Sequence, residues 1–237
     1  MLNGNLKDLD SFPKHKKNNV LKALIALSKY LGVYEDFKAK IKNYGIKWER
    51  QDSLESFLRV MKTREDLVEW VRKCFGILDR SMAEFLRFLI ISGLRKEEAI
   101  KSFNLILKLL KEGKLGEYYN EEIEALEHFM FEKEFLRRTK NAFIPKEFIE
   151  EIKSCEAVAY YPLRRKLRKH GLGVRFNEIR DYFATFMVHH GLIKEEVDLL
   201  QGRVGKSIFM RHYFSPAIKE LRERVFKAIN EMMAEVT

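Results

Sequence analysis

Apolar residues recur at spacings of three and four along most of the chain, which predicts a mainly helical protein. The first clear stripe runs from Val20 to Leu31 and is followed by Gly32. A second stripe, from Tyr34 to Ile41, ends near Gly45. Because glycine commonly ends a helix, these patterns predict two short helices close to the amino end.

Helical patterns continue beyond residue 53, with one helix predicted from Leu54 to Met61 and another beginning at Thr63. The segment from Met82 to Ile91 is almost entirely apolar and predicts a buried helix. It runs into Ser92-Gly93-Leu94-Arg95, after which the next helix is expected to begin at Lys96. Further helices are predicted at 145–155, 162–169, 177–190, 194–200 and 216–235.

One region departs from helical spacing. Phe129, Phe131 and Phe135 fall on odd positions with Glu132 and Glu134 between them, and a polar stretch around Thr139-Lys140 follows. We interpret this as a small β-hairpin with Thr139-Lys140 near its turn. The expected fold class is therefore mainly α, multihelical, with a small antiparallel sheet.

The polar stretch 47–53 is the best candidate for a linker. It divides the chain into a short helical amino-terminal region, residues 1–52, and a larger domain, residues 53–237. About fifty residues bury too little surface for a robust core of their own, so we expect this region to pack on DNA or on the rest of the chain, or to be the remnant of a larger arm domain.

Charge narrows the possible partners. The 237 residues include 45 Lys and Arg against 35 Asp and Glu, a net charge of +10, which favours nucleic acid or an anionic membrane. No apolar run approaches the roughly 20 residues needed to span a bilayer, and the amino end does not resemble a signal peptide. Cys74 and Cys155 are isolated, so neither a metal site nor a disulfide framework is indicated. A cytoplasmic protein without a membrane partner is expected.

The basic residues are concentrated in one stretch. Residues 161–180 contain seven Lys and Arg, and acidic residues come only at its end, at Glu178 and Asp181. A solvated face would usually mix the two signs, so we interpret this stretch as contacting the phosphate backbone of double-stranded DNA. The candidate DNA-binding residues are Arg164, Arg165, Lys166, Arg168, Lys169 and Arg175.

Chemistry able to act on a phosphodiester lies just downstream. Asn177, Arg180, Arg203 and Tyr213 fall within 37 residues. Arginine binds anionic oxygens in a bidentate and permanently charged way, and a tyrosine hydroxyl can attack phosphorus. Such a set is the minimum equipment for breaking a DNA strand without a metal.

The motifs that carry these residues resemble those of the tyrosine recombinases, or phage-type integrases, over about residues 60–214. Ser92-Gly93-Leu94-Arg95 is similar to the T-G-L-R box, and Arg138-Thr139-Lys140 lies where the family has its hairpin lysine. The block 177–185, NEIRDYFAT, resembles H-x-L-R-H-x-F-A-T, and residues 199–203, LLQGR, resemble L-L-G-H. Asn177 replaces the usual histidine, Arg203 replaces the usual histidine or tryptophan, and the gap from Arg203 to Tyr213 is one residue longer than in the commoner pattern. These three departures are most like the divergent integrases of archaeal viruses and plasmids.

The resemblance implies site-specific recombination by transesterification. Tyr213 would be the nucleophile, forming a 3′-phosphotyrosyl link that requires neither metal, ATP nor another cofactor. Arg95 and Arg180 would bind the non-bridging oxygens, with Arg203 as a third contact. Lys140 would protonate the leaving oxygen.

Asn177 can form hydrogen bonds but cannot titrate, so it cannot act as the general base that the family histidine supplies. We also interpret it as the N-cap of its helix.

The segment 216–235 is amphipathic. Packing on its own domain is one interpretation. The resemblance implies another, an oligomerisation helix that docks on a neighbouring protomer in a tetramer assembled on paired DNA sites. The sequence leaves open whether Tyr213 acts in cis or in trans.

Two other functions are compatible with the sequence. One is DNA relaxation of the type IB topoisomerase kind, and the other is a non-catalytic DNA-binding relative.

Overall fold

A computed structural model describes residues 5–46, 66–131, 141–203 and 217–237. The chain divides into two compact units, residues 1–60 and 61–237. The boundary expected at residues 52/53 and the helix expected from Leu54 to Met61 lie outside the described residues, and both stay predictions.

The smaller unit contains the two helices predicted there, α1 (Lys14–Tyr30) and α2 (Tyr34–Asn43), after a 3-10 helix at Leu6–Ser11. Gly32, between the helices, has a left-handed φ of 72°. A small core is formed by Leu6, Leu9, Leu21, Leu24 and Phe37.

The larger unit is built from helices that follow the predicted order. They are α3 (66–77), α4 (Arg80–Ser92), α5 (Lys96–Glu112), α6 (Lys146–Glu151), α7 (Tyr160–Lys169), α8 (Phe176–His189), α9 (Lys194–Leu200) and α10 (Ile218–Val236). Among the described parts of the chain, no helix is long and apolar enough to cross a membrane.

The sheet is small, antiparallel and three-stranded, in the order β1 (Tyr119–Asn120), β2 (Ala125–Glu127) and β3 (Asn141–Phe143). Leu126 of β2 lies opposite Ala142 of β3. Together with the helices, this sheet confirms the predicted fold class.

The first strand of the hairpin was predicted at the wrong place. The strand paired with β3 is β2, and His128–Phe131, at the start of the predicted strand, is a 3-10 helix. Ala125 and Leu126 are fully buried, whereas Phe129 is 42% exposed, so the part of the alternation that the structure describes, residues 129–131, does not mark a sheet face. The predicted turn at Thr139-Lys140 lies outside the described residues.

Helix α4 is central to the core of the larger unit, where it packs against α5 and α8. Asp79 caps its start by accepting a hydrogen bond from the Met82 backbone N–H at 3.0 Å. Phe85 and Phe88 are fully buried, and both rings contact that of Phe103. Burying each such side chain contributes about 1.5–3 kcal/mol, which fixes the helix that leads into Gly93 and Arg95.

Helix α10 packs its apolar face on α8 and β3 of its own unit. The buried residues of that face are Leu221, Val225, Ala228, Ile229, Met232 and Val236. This arrangement matches packing on its own domain. Docking of the helix on a neighbouring protomer stays a prediction.

Candidate active site

Arg180 lies in α8, is only 6% exposed, and connects three parts of the larger unit. Its Nη1 donates a hydrogen bond to the Gly93 carbonyl oxygen at 2.6 Å. Its Nη2 donates to the Gln201 carbonyl oxygen, also at 2.6 Å. These carbonyls follow the ends of α4 and α9, so one guanidinium joins both helix ends to α8.

Arg95 lies two residues after the first of these carbonyls. Helix α4 ends at Gly93, whose φ of 59° turns the chain so that Arg95 becomes the N-cap of α5. The Glu98 carboxylate accepts hydrogen bonds from the Arg95 backbone N–H at 3.3 Å and from its Nη1 at 3.2 Å. Glu98 is 4% exposed and therefore orients the Arg95 side chain from the protein interior.

Glu98 was not among the site residues predicted from the sequence. The signal that could have found it is the spacing of a glutamate three residues after an N-cap, from which a carboxylate can reach back to the cap's N–H.

Arg203 lies two residues after the second carbonyl. The end of α9 is a Schellman motif, in which the Gly202 N–H donates to Leu199 O at 3.0 Å and the Arg203 N–H donates to Asp198 O at 2.7 Å. Gly202 has the left-handed φ of 61° that this motif requires. The Arg203 side chain is 45% exposed and lies 3.9 Å from Asp181.

Arg95, Arg180 and Arg203 thus form one arginine cluster. Burial lowers the pKa of Arg180 to about 10, and the positive charges of Arg95 and Arg203 add to the effect. Arg180 still carries its proton at neutral pH. Among the residues that the structure describes, the two carbonyls accept hydrogen bonds from two of its five N–H groups, and the other three can serve another acceptor. An anion among these guanidiniums would relieve their repulsion, and a phosphate has the oxygens to accept their hydrogen bonds.

Asn177 is exposed and is the second residue of α8, three residues before Arg180. Its interpretation as the N-cap is wrong, because the cap is Arg175. The Arg175 carbonyl accepts the N–H groups of Glu178 and Ile179, so the helix begins one residue earlier than predicted.

Lys140 and Tyr213 lie outside the described residues, so the structure does not test their relation to the arginine cluster.

Helix α7 carries most of the predicted DNA-binding residues. Leu163 and Leu167 are buried, whereas Tyr161 is 76% exposed. An open pocket is lined by Tyr161, Pro162, Arg164, Arg165 and Arg168, four of which follow the i, i+3, i+4, i+7 spacing of one helix face. We call the cationic side chains Arg164, Arg165, Arg168 and Lys169 the basic face of α7; Arg164 is half-buried and the other three are exposed.

The other two predicted DNA-binding residues, Lys166 and Arg175, are not part of the basic face, because each is bound to acceptors within the protein. Lys166 forms an ion pair with Asp79 at 2.8 Å, and its hydrogen bond lowers the pKa of that carboxyl. Arg175 donates to Glu178 from Nε at 2.9 Å and to the Asp66 carbonyl at 3.0 Å. Both cations are therefore already held by acceptors of the protein itself.

A cation–π contact between Lys96 and Tyr160 connects the basic face to the arginine cluster. Lys96, the residue after Arg95, places its Nζ 3.9 Å from the centre of the Tyr160 ring. Tyr160 directly precedes Tyr161 at the start of α7. This contact holds the beginning of the basic face beside the segment that carries Arg95.

Comparison with known families identifies the chain. A family described as archaeal phage integrase matches residues 59–229, which is most of the chain. The chain belongs to the archaeal phage integrase family. This integrase is therefore a DNA recombinase of the divergent archaeal kind, associated with DNA integration and mobile elements. Searches of curated proteins and of solved structures give no match. The matched range includes all three residues of the arginine cluster.

Proposed function

We propose that this integrase cuts and rejoins double-stranded DNA at specific sites, with Tyr213 as the nucleophile. The observation that supports this most strongly is the convergence of Arg95, Arg180 and Arg203. They are separated by up to about a hundred residues in sequence, yet two hydrogen bonds of 2.6 Å from Arg180 hold the segments that carry the other two.

The arginine cluster suits a phosphoryl transfer because the pentacoordinate transition state concentrates negative charge on the non-bridging oxygens. Fixed guanidiniums stabilise that charge without having to reorganise during the reaction. In this role Arg180 and Arg95 bind these oxygens, and Arg203 adds a third contact. Glu98 is a positioning residue that orients Arg95.

In the proposed reaction, the Tyr213 phenolic oxygen attacks phosphorus in line and loses its proton to water. A phosphorus–oxygen bond forms to Tyr213 as the bond to the 5′-oxygen breaks, and Lys140 gives a proton to that leaving oxygen. The product is a 3′-phosphotyrosyl link and a free 5′-hydroxyl. Because the link conserves the energy of the phosphodiester, the reverse reaction rejoins a strand without ATP or a metal. Asn177 contributes a hydrogen bond and no proton transfer.

The basic face of α7 contacts the phosphate backbone beside the scissile phosphate in this proposal. Tyr160 and Lys96 hold that face next to Arg95. The active form is a tetramer on paired DNA sites, in which one strand end attacks the link made on another duplex.

Covalent capture tests the nucleophile. The integrase is incubated with a suicide duplex that carries a nick beside the cleavage site, so that the cut fragment is lost and the link accumulates. We expect a DNA-linked band on a denaturing gel that Tyr213→Phe abolishes and that Tyr30→Phe, a change at an exposed tyrosine of the other unit, leaves intact.

The same assay tests the arginine cluster. Arg95→Ala and Arg180→Ala should each lower the rate of capture by roughly 100- to 1000-fold while DNA binding is retained. Arg72→Ala is the matched control, because this exposed arginine contacts the Glu235 carbonyl instead.

A wild-type protein that binds DNA without forming the band would refute the proposal and favour a non-catalytic DNA-binding relative. Relaxation of supercoiled DNA at dilutions that leave only monomers would favour the topoisomerase-like activity.

A further inference from the structure

Gln201 forms a reciprocal pair with Arg180. Its carbonyl oxygen accepts from Arg180 Nη2 at 2.6 Å, and its side-chain Nε2 donates to the Arg180 carbonyl oxygen at 2.8 Å. The Gln201 side chain is fully buried, with 0% exposure. The two hydrogen bonds fasten the end of α9 to the middle of α8.

The geometry makes Gln201 a link between the members of the arginine cluster. Arg203 follows it by two residues, and the Schellman motif fixes the backbone between them. Arg180 in turn donates to Gly93, two residues before Arg95. Any loosening of the Gln201–Arg180 pair therefore changes the spacing between Arg203 and the other two guanidiniums.

The amide of Gln201 is not explained by stability alone. Its Nε2 must face the Arg180 carbonyl, because only the nitrogen can donate. Its Oε1 is then buried, and it has no hydrogen-bond partner among the residues that the structure describes. A buried acceptor without a partner destabilises a fold, whereas an apolar side chain of the same size would avoid this cost.

We propose that Gln201 is a positioning residue, which fixes Arg180 relative to Arg203 so that the arginine cluster is aligned for the scissile phosphate. The proposal rests on the proposed function of the cluster and adds a residue that contacts no DNA. It implies that the amide is retained for alignment at some expense in stability.

Gln201→Met tests this role, because methionine keeps the length and approximate volume of the side chain and removes the amide. The matched control is Leu200→Met, which alters the neighbouring buried side chain and leaves the Gln201–Arg180 pair in place. Both are compared with the wild type in the suicide-duplex assay at saturating DNA, in DNA affinity, and in Tm.

For Gln201→Met we expect capture to slow by roughly tenfold to a hundredfold, the loss typical of a misaligned catalytic group. DNA affinity should stay within about twofold, and Tm should be unchanged or higher. Leu200→Met should capture DNA at the wild-type rate. Wild-type capture by Gln201→Met would overturn the proposal, and so would a slow variant whose Tm has fallen, since that result indicates a purely structural role.

A second measurement tests the positioning role of Gln201 even if the wild type forms no covalent link with DNA. With 15N-labelled arginine, NMR reports rotation of the Arg180 guanidinium, assigned by its absence in Arg180→Lys. Two hydrogen bonds to carbonyls should give separate Nη proton signals in the wild type and in Leu200→Met. Gln201→Met keeps both backbone carbonyls but loses the Nε2 hydrogen bond that holds the Gln201 carbonyl against Arg180, so the signals should average. Signals that stay separate in Gln201→Met would refute the positioning role, whereas averaged signals with no wild-type capture would refute only the proposed function.

Discussion

Replacement of Gly93 by alanine probes the junction that holds the arginine cluster together. Gly93 ends α4 with a left-handed φ of 59°, and its carbonyl accepts the Arg180 hydrogen bond. A Cβ at this position would lie 2.4 Å from Cδ1 of Phe183 and 2.7 Å from two other atoms of that ring. Phe183 is 2% exposed and packed in the core, so the ring has little room to move away.

The expected loss of stability follows from three contributions. A side chain in the left-handed region costs roughly 1–2 kcal/mol. Overpacking against Phe183 adds about 1–3 kcal/mol. The lower entropy of the unfolded alanine variant offsets about 0.4–1 kcal/mol. Gly93→Ala should therefore lower the free energy of unfolding by about 3 kcal/mol.

Gly113 provides a matched control. It ends α5 with a φ of 67°, similar to that of Gly93, but a Cβ there would meet nothing within 4 Å. Gly113→Ala retains the backbone cost and lacks the overpacking, so its loss should be about 1 kcal/mol. The difference between the variants, about 2 kcal/mol, isolates the contact with Phe183.

Urea denaturation followed by circular dichroism at neutral pH measures both losses, provided that the m-values agree. Equal destabilisation by the two substitutions would refute the reasoning, because the contact with Phe183 would then have no energetic effect. A variant that combines Gly93→Ala with Phe183→Leu provides a second check. Removing the ring should recover part of the Gly93→Ala cost, giving a non-additive double-mutant cycle.

Two further predictions concern charge. The Glu196 side chain is 7% exposed, and its hydrogen bond with Arg224 lowers the pKa of the Glu196 carboxyl. The ion pair therefore contributes its full stability above the ordinary pKa of about 4.5. That stability is lost as the pH falls through the lower pKa of the folded state. Glu196→Gln should cost about 1 kcal/mol at pH 7, and this deficit should shrink as the pH falls below about 4.5, whereas a deficit that stays the same at low pH would contradict the assignment. In DNA binding, Arg165→Ala and Arg168→Ala should each reduce the slope of log affinity against log salt by about 0.9, whereas Arg175→Ala should leave it nearly unchanged. A reduced slope for Arg175→Ala would show that its ion pair opens on DNA.

Local sequence rules predicted the helices well and the sheet less well. The glycine after α4 and the following helix start were correctly placed, because backbone conformation at a helix end depends on a few neighbouring residues. The strand paired with β3 was misplaced because a period of two shows only that alternate side chains differ. Burial of Ala125 and Leu126 against β3 decided which residues pair, and that depends on contacts distant in sequence.

By itself, the sequence determined the helical periods, the glycine stops, the net positive charge and the order of the motif residues. These properties depend on neighbouring residues or on composition. Only the tertiary structure brought Arg95, Arg180 and Arg203 together, through hydrogen bonds from Arg180 to carbonyls 87 and 21 residues away. It also separated the exposed cations of α7 from those already paired with carboxylates. The physical reason is that a hydrogen bond or an ion pair requires its atoms within a few ångströms, and packing of the core sets that distance for residues far apart in the chain.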